Sequence, residues 1–113
     1  MESIPLNEAL ALCVAACHDC AAACNACAAA CLAGPDVDAM RACIALNIDC
    51  AQLCEVAAGQ IARSSAVSGV TCLACSSVCS SCADECSRHS HAHCQQCAAV
   101  CRKCAQMCAQ MAN

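Results

Sequence analysis

Residues 13–31 read CVAACHDCAAACNACAAAC, and this stretch decides the fold. Its six cysteines follow one another at steps of four, three, four, three and four residues. Such steps average 3.5 residues, so they place every cysteine on one side of an α-helix that packs against other helices. Alanine, the residue with the highest helix propensity, fills most positions between the cysteines. The stretch therefore predicts a helix with one face of sulfur.

The same alternation of three and four residues recurs in the rest of the chain. Three breaks separate the repeats: GPD at 34–36, RSSAVSG at 63–69 and RHSHAH at 88–93. Four amphipathic segments joined by short loops predict an all-α fold, an antiparallel up-down-up-down four-helix bundle with a cysteine-lined core. We expect residues 1–113 to form this single domain. The predicted helical segments are about 5–32, 37–62, 68–88 and 91–112.

Short polar residues and glycine mark the expected ends of these segments. Ser3, Asp36 and Ser68 are the predicted N-caps, because their side chains can accept hydrogen bonds from free amides of a first helical turn. Gly34 is the predicted stop of the first helix.

The bundle topology assigns residues to two chemically different ends. At one end, which we call the mouth, we expect soft and imidazole groups, and metal ions should enter there near Cys31 and fill toward Cys13. At the other end, which we call the plug, we expect mainly apolar side chains, with Val67 or Val70 nearby. The predicted mouth contains Cys31, Met40, Cys43, Cys86, His89, His91 and Cys94, and the predicted plug contains Leu6, Leu10, Ile61, Cys72 and Met111.

Composition narrows the classes of function. The net charge is −4 and there are no aromatic residues, so neither a basic patch nor base stacking is available and nucleic-acid binding is not expected. The start, MESIPLNEALAL, has no basic region and its apolar run is interrupted, so we expect neither a signal peptide nor a membrane span. A cytoplasmic location follows as an expectation. In that reducing compartment, 19 cysteines, an odd number, indicate metal or redox chemistry rather than disulfides.

Thiols at positions i and i+4 of a helix lie about 5–6 Å apart at Cβ, so two of them can bind one ion. Soft thiolates select Cu(I), zinc or iron–sulfur clusters. One Cu⁺ per thiolate would neutralise a buried sulfur core, whereas zinc needs four tetrahedral ligands. We therefore predict several Cu(I) ions per chain. The candidate ligands are the pairs Cys13/Cys17, Cys20/Cys24, Cys27/Cys31, Cys50/Cys54, Cys75/Cys79, Cys82/Cys86, Cys97/Cys101 and Cys104/Cys108, together with Cys43, Cys72 and Cys94.

Five further residues are candidates for roles beside the thiols. Met40, His89, His91 and His93 are predicted to capture ions at the mouth, although a methionine at helical spacing also serves as core filler and loop histidines are often only solvated. His93 is one step out of register with the cysteine stripe. Asn47 replaces a thiol inside the stripe, where it either fixes the helix register or hydrogen-bonds and weakly ligates as an oxygen donor.

Other functions remain open at this point. The CxxC spacings within the stripes permit a thiol redox protein, which would need a cysteine of unusually low pKa. A zinc or general soft-metal detoxification protein is the other alternative. No acid–base pair for catalysis is evident, so an enzyme is not expected. Because protonated cysteine packs as a small apolar residue, we expect a folded helical protein without metal.

The chain resembles the cytosolic, signal-free branch of the four-helix-bundle copper storage proteins. The resemblance is most specific in CLACSSVCSSCADECSRHSHAHCQQCAAVCRKCAQMC, residues 72–108, where two cysteine stripes flank a histidine-bearing turn. It implies storage of many Cu(I) ions by the 19 cysteines, capture at Met40, His89, His91 and His93, and a homotetramer. The second segment departs from the pattern, since Asn47 and Ala57 stand where cysteines could be.

Overall fold

The computed structural model describes residues 6–112, with side chains from residue 7 onward. The predicted cap Ser3 and the side chain of Leu6 therefore lie outside the described part. Four α-helices form, α1 (Leu6–Ala33), α2 (Arg41–Ala62), α3 (Ser68–Ser87) and α4 (Ala92–Met111), with a short 3₁₀ helix (Asp38–Met40) before α2. These bounds agree with the predicted segments to within a few residues.

The helices form the predicted antiparallel bundle. Helix α1 packs on α2 and α4, and α3 packs on the same two helices from the opposite side. One level near the middle shows the arrangement, because the Cys20 sulfur of α1 lies within 4 Å of sulfurs on the other three helices: Cys50, Cys79 and Cys101. The bundle is thus closed around a single central column.

Sulfur and small side chains fill that column. Every one of the 19 cysteines is buried, and the alanines Ala57, Ala58 and Ala83 pack beside them. Buried cysteine behaves as a small apolar residue, so this interior holds the helices together in the thiol form. The one large aliphatic side chain fully within the described core is Ile61, near the plug.

The helix ends differ from the predicted caps. Val37 precedes the 3₁₀ helix and Val67 precedes α3, and neither makes a side-chain capping bond. Asp36 contributes only its backbone carbonyl, which accepts from the amide of Met40 at 3.1 Å. Ser68 is the first helical residue of α3 rather than its cap. Both cap predictions were wrong because backbone carbonyls of the tight loops take over the role of the side chains. The predicted stop is confirmed, since Gly34 follows the last residue of α1.

Two helices are long and apolar enough to cross a membrane by length and composition, Asn7–Ala33 with mean hydropathy 1.5 and Asp38–Ala62 with mean hydropathy 1.3. The core helices of a globular bundle meet the same criteria. Here both helices direct their cysteine stripes onto the other helices, which accounts for their hydropathy.

Candidate metal centre

Sulfur atoms from different helices approach one another along the whole core. The shortest separations join α2 to α3 and α1 to α4: 3.4 Å between Cys43 and Cys86, and 3.5 Å between Cys24 and Cys101. In the plug half, the Cys17 and Cys108 sulfurs lie 3.6 Å apart. These contacts arise because the stripes of all four helices face the same axis. Each pair of facing thiols can therefore share one soft ion.

The thiols also assemble into larger groups. In each group every ligand atom lies within 4.8 Å of the others. Cys20, Cys24, Cys50 and Cys101 each belong to two groups, so three of the groups form a connected series in the middle of the core. The groups include Cys17/Cys75/Cys104/Cys108, Cys20/Cys24/Cys50/Cys101, Cys20/Cys50/Cys54/Cys79, Cys24/Cys82/Cys97/Cys101 and Cys27/Cys31/His93/Cys94.

Contacts within one helix are longer than the shortest contacts between helices. The local pair Cys50/Cys54 has a sulfur separation of 4.0 Å, whereas Cys50 lies 3.5 Å from Cys79 on α3. Cys43, which has no local partner, faces Cys86. The spacing of the sequence predicted the stripes and the local pairs, but the rotation of each helix about its axis determines the pairing across the core. Ions bound between these sulfurs would link different helices as well as successive turns of one helix.

Asn47 lies fully buried inside the sulfur column. Its Oδ1 accepts hydrogen bonds from the thiols of Cys82 at 3.2 Å and Cys97 at 3.4 Å, and also faces Cys86 at 3.5 Å. Its Nδ2 donates to the Cys43 sulfur at 3.6 Å. The side chain thus hydrogen-bonds to thiols on α2, α3 and α4. In this position the Asn47 oxygen is directed at sulfur atoms and accepts hydrogen bonds from them, which is one of the alternatives that the sequence left open.

The mouth contains a small pocket of about 120 Å³. Met40, buried at the end of the 3₁₀ helix, lines it together with Cys31, His91 and His93. The two imidazole rings stack with their centroids 5.3 Å apart. The structure therefore brings a thioether, a thiol and two imidazoles, those of His91 and His93, to one opening.

His93 makes the most direct contact with the core. Its Nδ1 lies 3.4 Å from the sulfur of Cys27 and 3.5 Å from that of Cys94. The sequence placed His93 one step out of register. The reason for the difference is local: His91 has extended backbone angles, φ −60° and ψ 138°, so α4 begins only at Ala92 and its first turn directs His93 toward α1.

His89 takes a different position from the other two histidines. Its Nε2 lies 2.7 Å from Oε2 of Glu85, one turn earlier on α3, and Glu85 also pairs with Arg88 at 2.8 Å. His89 does not line the mouth pocket. This pairing was not predicted, although the sequence places Glu85 and His89 at the i, i+4 spacing that lets two side chains of a helix meet. A carboxylate on Nε2 leaves Nδ1 as the nitrogen that can bind an ion.

Burial is the largest cause of a raised pKa at four of the thiols. Desolvation raises the pKa of Cys72 from 9.0 to about 11 and that of Cys94 to about 12. The pKa values of Cys27 and Cys43 are also raised, with desolvation again the largest cause. These four groups are therefore neutral thiols at pH 7, and a bound metal must displace their protons.

The apo protein is expected to lose stability as the pH rises from 9 to 11. An unfolded thiol ionises near pH 9, whereas Cys72 and Cys94 in the fold hold their protons to about 11 and 12. In this window the unfolded chain binds fewer protons than the native one, so each such thiol lowers the free energy of unfolding by about 1.4 kcal/mol per pH unit. Anaerobic urea unfolding followed by circular dichroism measures the slope. A free energy of unfolding that stays constant across this range would contradict the prediction.

Several solved structures are similar to this chain, and three of them illustrate the likeness. The cytosolic copper storage protein from Streptomyces lividans, solved with five coppers, is 41% identical with a TM-score of 0.90, and the match covers 93% of this chain and 92% of that one. The Cu(I)-bound copper storage protein BsCsp3 is 36% identical with a TM-score of 0.89, over 93% and 99% of the two chains. The apo copper storage protein 3 from Bacillus subtilis is 37% identical with a TM-score of 0.86, over 90% and 97%.

No curated protein matches the chain. The family model described as "Csp: Copper storage protein" matches residues 6–113, which include all four helices and all 19 cysteines. This match confirms the resemblance seen in the cysteine stripes. The chain belongs to the copper storage protein family.

Proposed function

We propose that this protein stores many Cu(I) ions along its bundle core, with all 19 cysteines as thiolate ligands. The observation that supports this most strongly is the sharing of thiols between neighbouring groups. Cys20 and Cys50 each belong to two groups of four, and so do Cys24 and Cys101. A thiolate that bridges two ions suits low-coordinate Cu(I), so a continuous cluster series can occupy the middle of the core, with further groups toward each end.

Charge balance favours Cu(I) over zinc. A tetrahedral zinc site with four thiolates keeps a net charge of −2, and several such sites in a dry core would be costly. One Cu⁺ for each thiolate leaves the column neutral. The groups of four thiols within 4.8 Å could nevertheless accept zinc, so a zinc-storing protein is the second candidate. Competition between the two ions for the apo protein discriminates them: retention of zinc against excess Cu(I) would favour the zinc function.

We propose that ions enter at the mouth. His93 lies with Cys27, Cys31 and Cys94 in a group that combines an imidazole with three thiols, and it is only partly buried. Met40 and His91 line the adjacent pocket and would pass ions to this group. His89 would bind through Nδ1 while Glu85 holds its ring. From Cys31 the ions would move toward Cys13, and Asn47 would support the central thiolates by hydrogen bonding or weak ligation.

We further propose that the protein binds copper rather than catalyses a reaction, that it works in the cytoplasm, and that it forms a homotetramer. The Streptomyces relative is described as cytosolic. Exposed apolar residues on α1 and α2, among them Leu32 and Ile48, offer surface for another copy of the chain. No partnership with nucleic acid or membrane is proposed.

Anaerobic titration of the apo protein with Cu(I) against a competing chelator tests the proposal. We expect uptake that approaches roughly one ion per cysteine, because each sulfur can serve two soft ions. In the same titration, His93→Ala should slow uptake of the first equivalents while leaving the final capacity within about one ion of wild type. Saturation after one or two ions would contradict storage, and an unchanged early phase in the variant would contradict the role of His93.

A further inference from the structure

A groove runs along the outside of the bundle between α1 and α4. Its volume is about 550 Å³. Small residues of α1 and α4 face each other here. Their short side chains leave an open space on the outer surface, above the buried thiols. The groove is lined by the alanines Ala16, Ala22, Ala23 and Ala99, by Val100, and by the polar residues Asp19, Gln96 and Lys103.

A second pocket of about 100 Å³ continues from this groove into the core. It shares Ala23 and Gln96 with the groove, is also lined by His93, and reaches the thiols of Cys27 and Cys97. Sixteen of the cysteines are completely inaccessible; those that retain any accessible surface are Cys27 (1%), Cys97 (1%) and Cys31 (3%). Cys31 lines the mouth pocket, so the core is reached through two neighbouring pockets, the mouth and this side pocket, which share His93.

The groove also carries two opposite charges without partners. Neither Asp19 nor Lys103 forms an ion pair with any residue between 6 and 112. At 1.5 Å per helical residue, Lys103 lies about 9 Å along α4 from Cys97, and Asp19 lies about 12 Å along α1 from Cys27. An extended chain of three residues spans about 10 Å. A ligand of that length can therefore bind the charges at one end and reach a core thiol with the other.

We propose that the groove binds a low-molecular-weight thiol that has both a carboxylate and an ammonium group and carries Cu(I), and that the side pocket passes the ion to Cys97. The proposal rests on the storage function above. Lys103 pairs with the carboxylate, Asp19 pairs with the ammonium group, and the copper-bearing sulfur enters the side pocket. Ions then reach the middle of the core beside His93, without passing through the mouth pocket that Met40 and His91 line.

The transfer is a ligand exchange that needs no oxidant or reductant. The carrier brings Cu(I) between two thiolates. The Cys97 and Cys24 sulfurs, 3.8 Å apart, form two new Cu–S bonds as the two carrier Cu–S bonds break. The two protons of these core thiols pass to the departing carrier thiolates, which leave as thiols. Copper remains Cu(I) throughout and enters the group formed by Cys24, Cys82, Cys97 and Cys101.

The side pocket and the mouth pocket can be altered one at a time, because a different alanine of α1 lines each of them. Ala26 lines the side pocket, and Ala30, one turn later, lines the mouth pocket. With the Cu(I)–glutathione complex as donor, Ala26→Leu should slow anaerobic transfer to the apo protein about tenfold, because the larger side chain fills the side pocket. Ala30→Leu, the matched control, should retain close to the wild-type rate. A rate in Ala26→Leu equal to that of wild type, or an equal slowing in both variants, would overturn the proposal.

Lys103→Met tests the recognition of charge. It should raise the half-saturating concentration of the Cu(I)–glutathione complex about two- to fivefold, the range expected for an exposed ion pair. With Cu(I)–mercaptoethanol, a donor whose thiols have neither a carboxylate nor an ammonium group, it should have a much smaller effect, and an equal effect on both donors would refute the assignment of the charges. A changed sedimentation coefficient in Ala26→Leu would show instead that a second copy covers the groove.

The final copper capacity, measured in every variant, separates the two proposals. A capacity of one or two ions in wild type would refute storage itself. Full capacity with a transfer rate that Ala26→Leu does not change would refute only the proposal that the groove binds a copper-carrying thiol.

Discussion

Cys79→Ala is expected to remove about two to three Cu(I) ions from the capacity of the protein, whereas Cys72→Ala removes at most about one. Both cysteines are fully buried on α3, seven residues apart. The Cys79 sulfur lies 3.5 to 3.9 Å from those of four other cysteines, whereas Cys72 forms no thiol–thiol hydrogen-bonding contact of 4.0 Å or less among the described residues. The neighbours of Cys79 are Cys20, Cys50, Cys54 and Cys75.

The physical reason is that a shared thiolate holds more than one ion. Removing it leaves its neighbours with too few ligands for the ions they had in common. Atomic absorption of the two variants, after loading with excess Cu(I) and gel filtration, measures the difference. Because both changes delete the same buried group from the same helix, their effects on folding should be similar. Equal losses of copper would show that the ions occupy independent sites.

Ile61→Ala is expected to lower the free energy of unfolding of the apo protein by about 2–4 kcal/mol. Ile61 is 3% exposed and packs at the plug, where Leu10 and Val14 line the same apolar cleft. Elsewhere the buried residues are cysteines and alanines, with Met40 and Asn47, so the plug holds the large aliphatic contacts that the truncation would remove. The cavity adds to the loss because helices can collapse only partly around it.

Anaerobic urea unfolding followed by circular dichroism measures this effect. Val56→Ala, on the same helix but 50% exposed, is the control and should change the free energy of unfolding by less than about 0.5 kcal/mol. Loading with Cu(I) should raise the stability of both variants, because ions that bind only the native state stabilise it by mass action. An Ile61→Ala protein as stable as wild type without copper would mean that the sulfur column alone holds the bundle together.

The helices and the cysteine stripes were predictable from the sequence because a period of 3.5 residues has only one structural reading at this length. The pairing of sulfurs across the core was not. Cys43 and Cys86, for example, stand 43 residues apart, and their 3.4 Å contact depends on the relative height and rotation of α2 and α3. Spacing along one helix contains no information on either quantity.

The mouth was predicted in outline but not in detail. Met40, His91 and Cys31 meet in one pocket because topology brings three chain segments to the same end. The contact of His93 with Cys27 depends on the residue at which α4 starts, and helix ends are the least predictable feature of a sequence. The N-caps failed for the same reason, since the loop backbone, rather than the side chains of Asp36 and Ser68, satisfies the first turns.

The burial of all 19 cysteines in one bundle, which we expect to fold without metal, has a thermodynamic consequence. The conformational entropy of the cysteine ligands is lost once, when the chain folds, and is not lost again each time an ion binds. A zinc finger, by contrast, couples that cost to the binding of its metal. In this bundle the sulfurs are preorganised, so the affinity for an ion reflects the exchange of protons for copper on a scaffold already in place. The protein can therefore be emptied and refilled without being refolded.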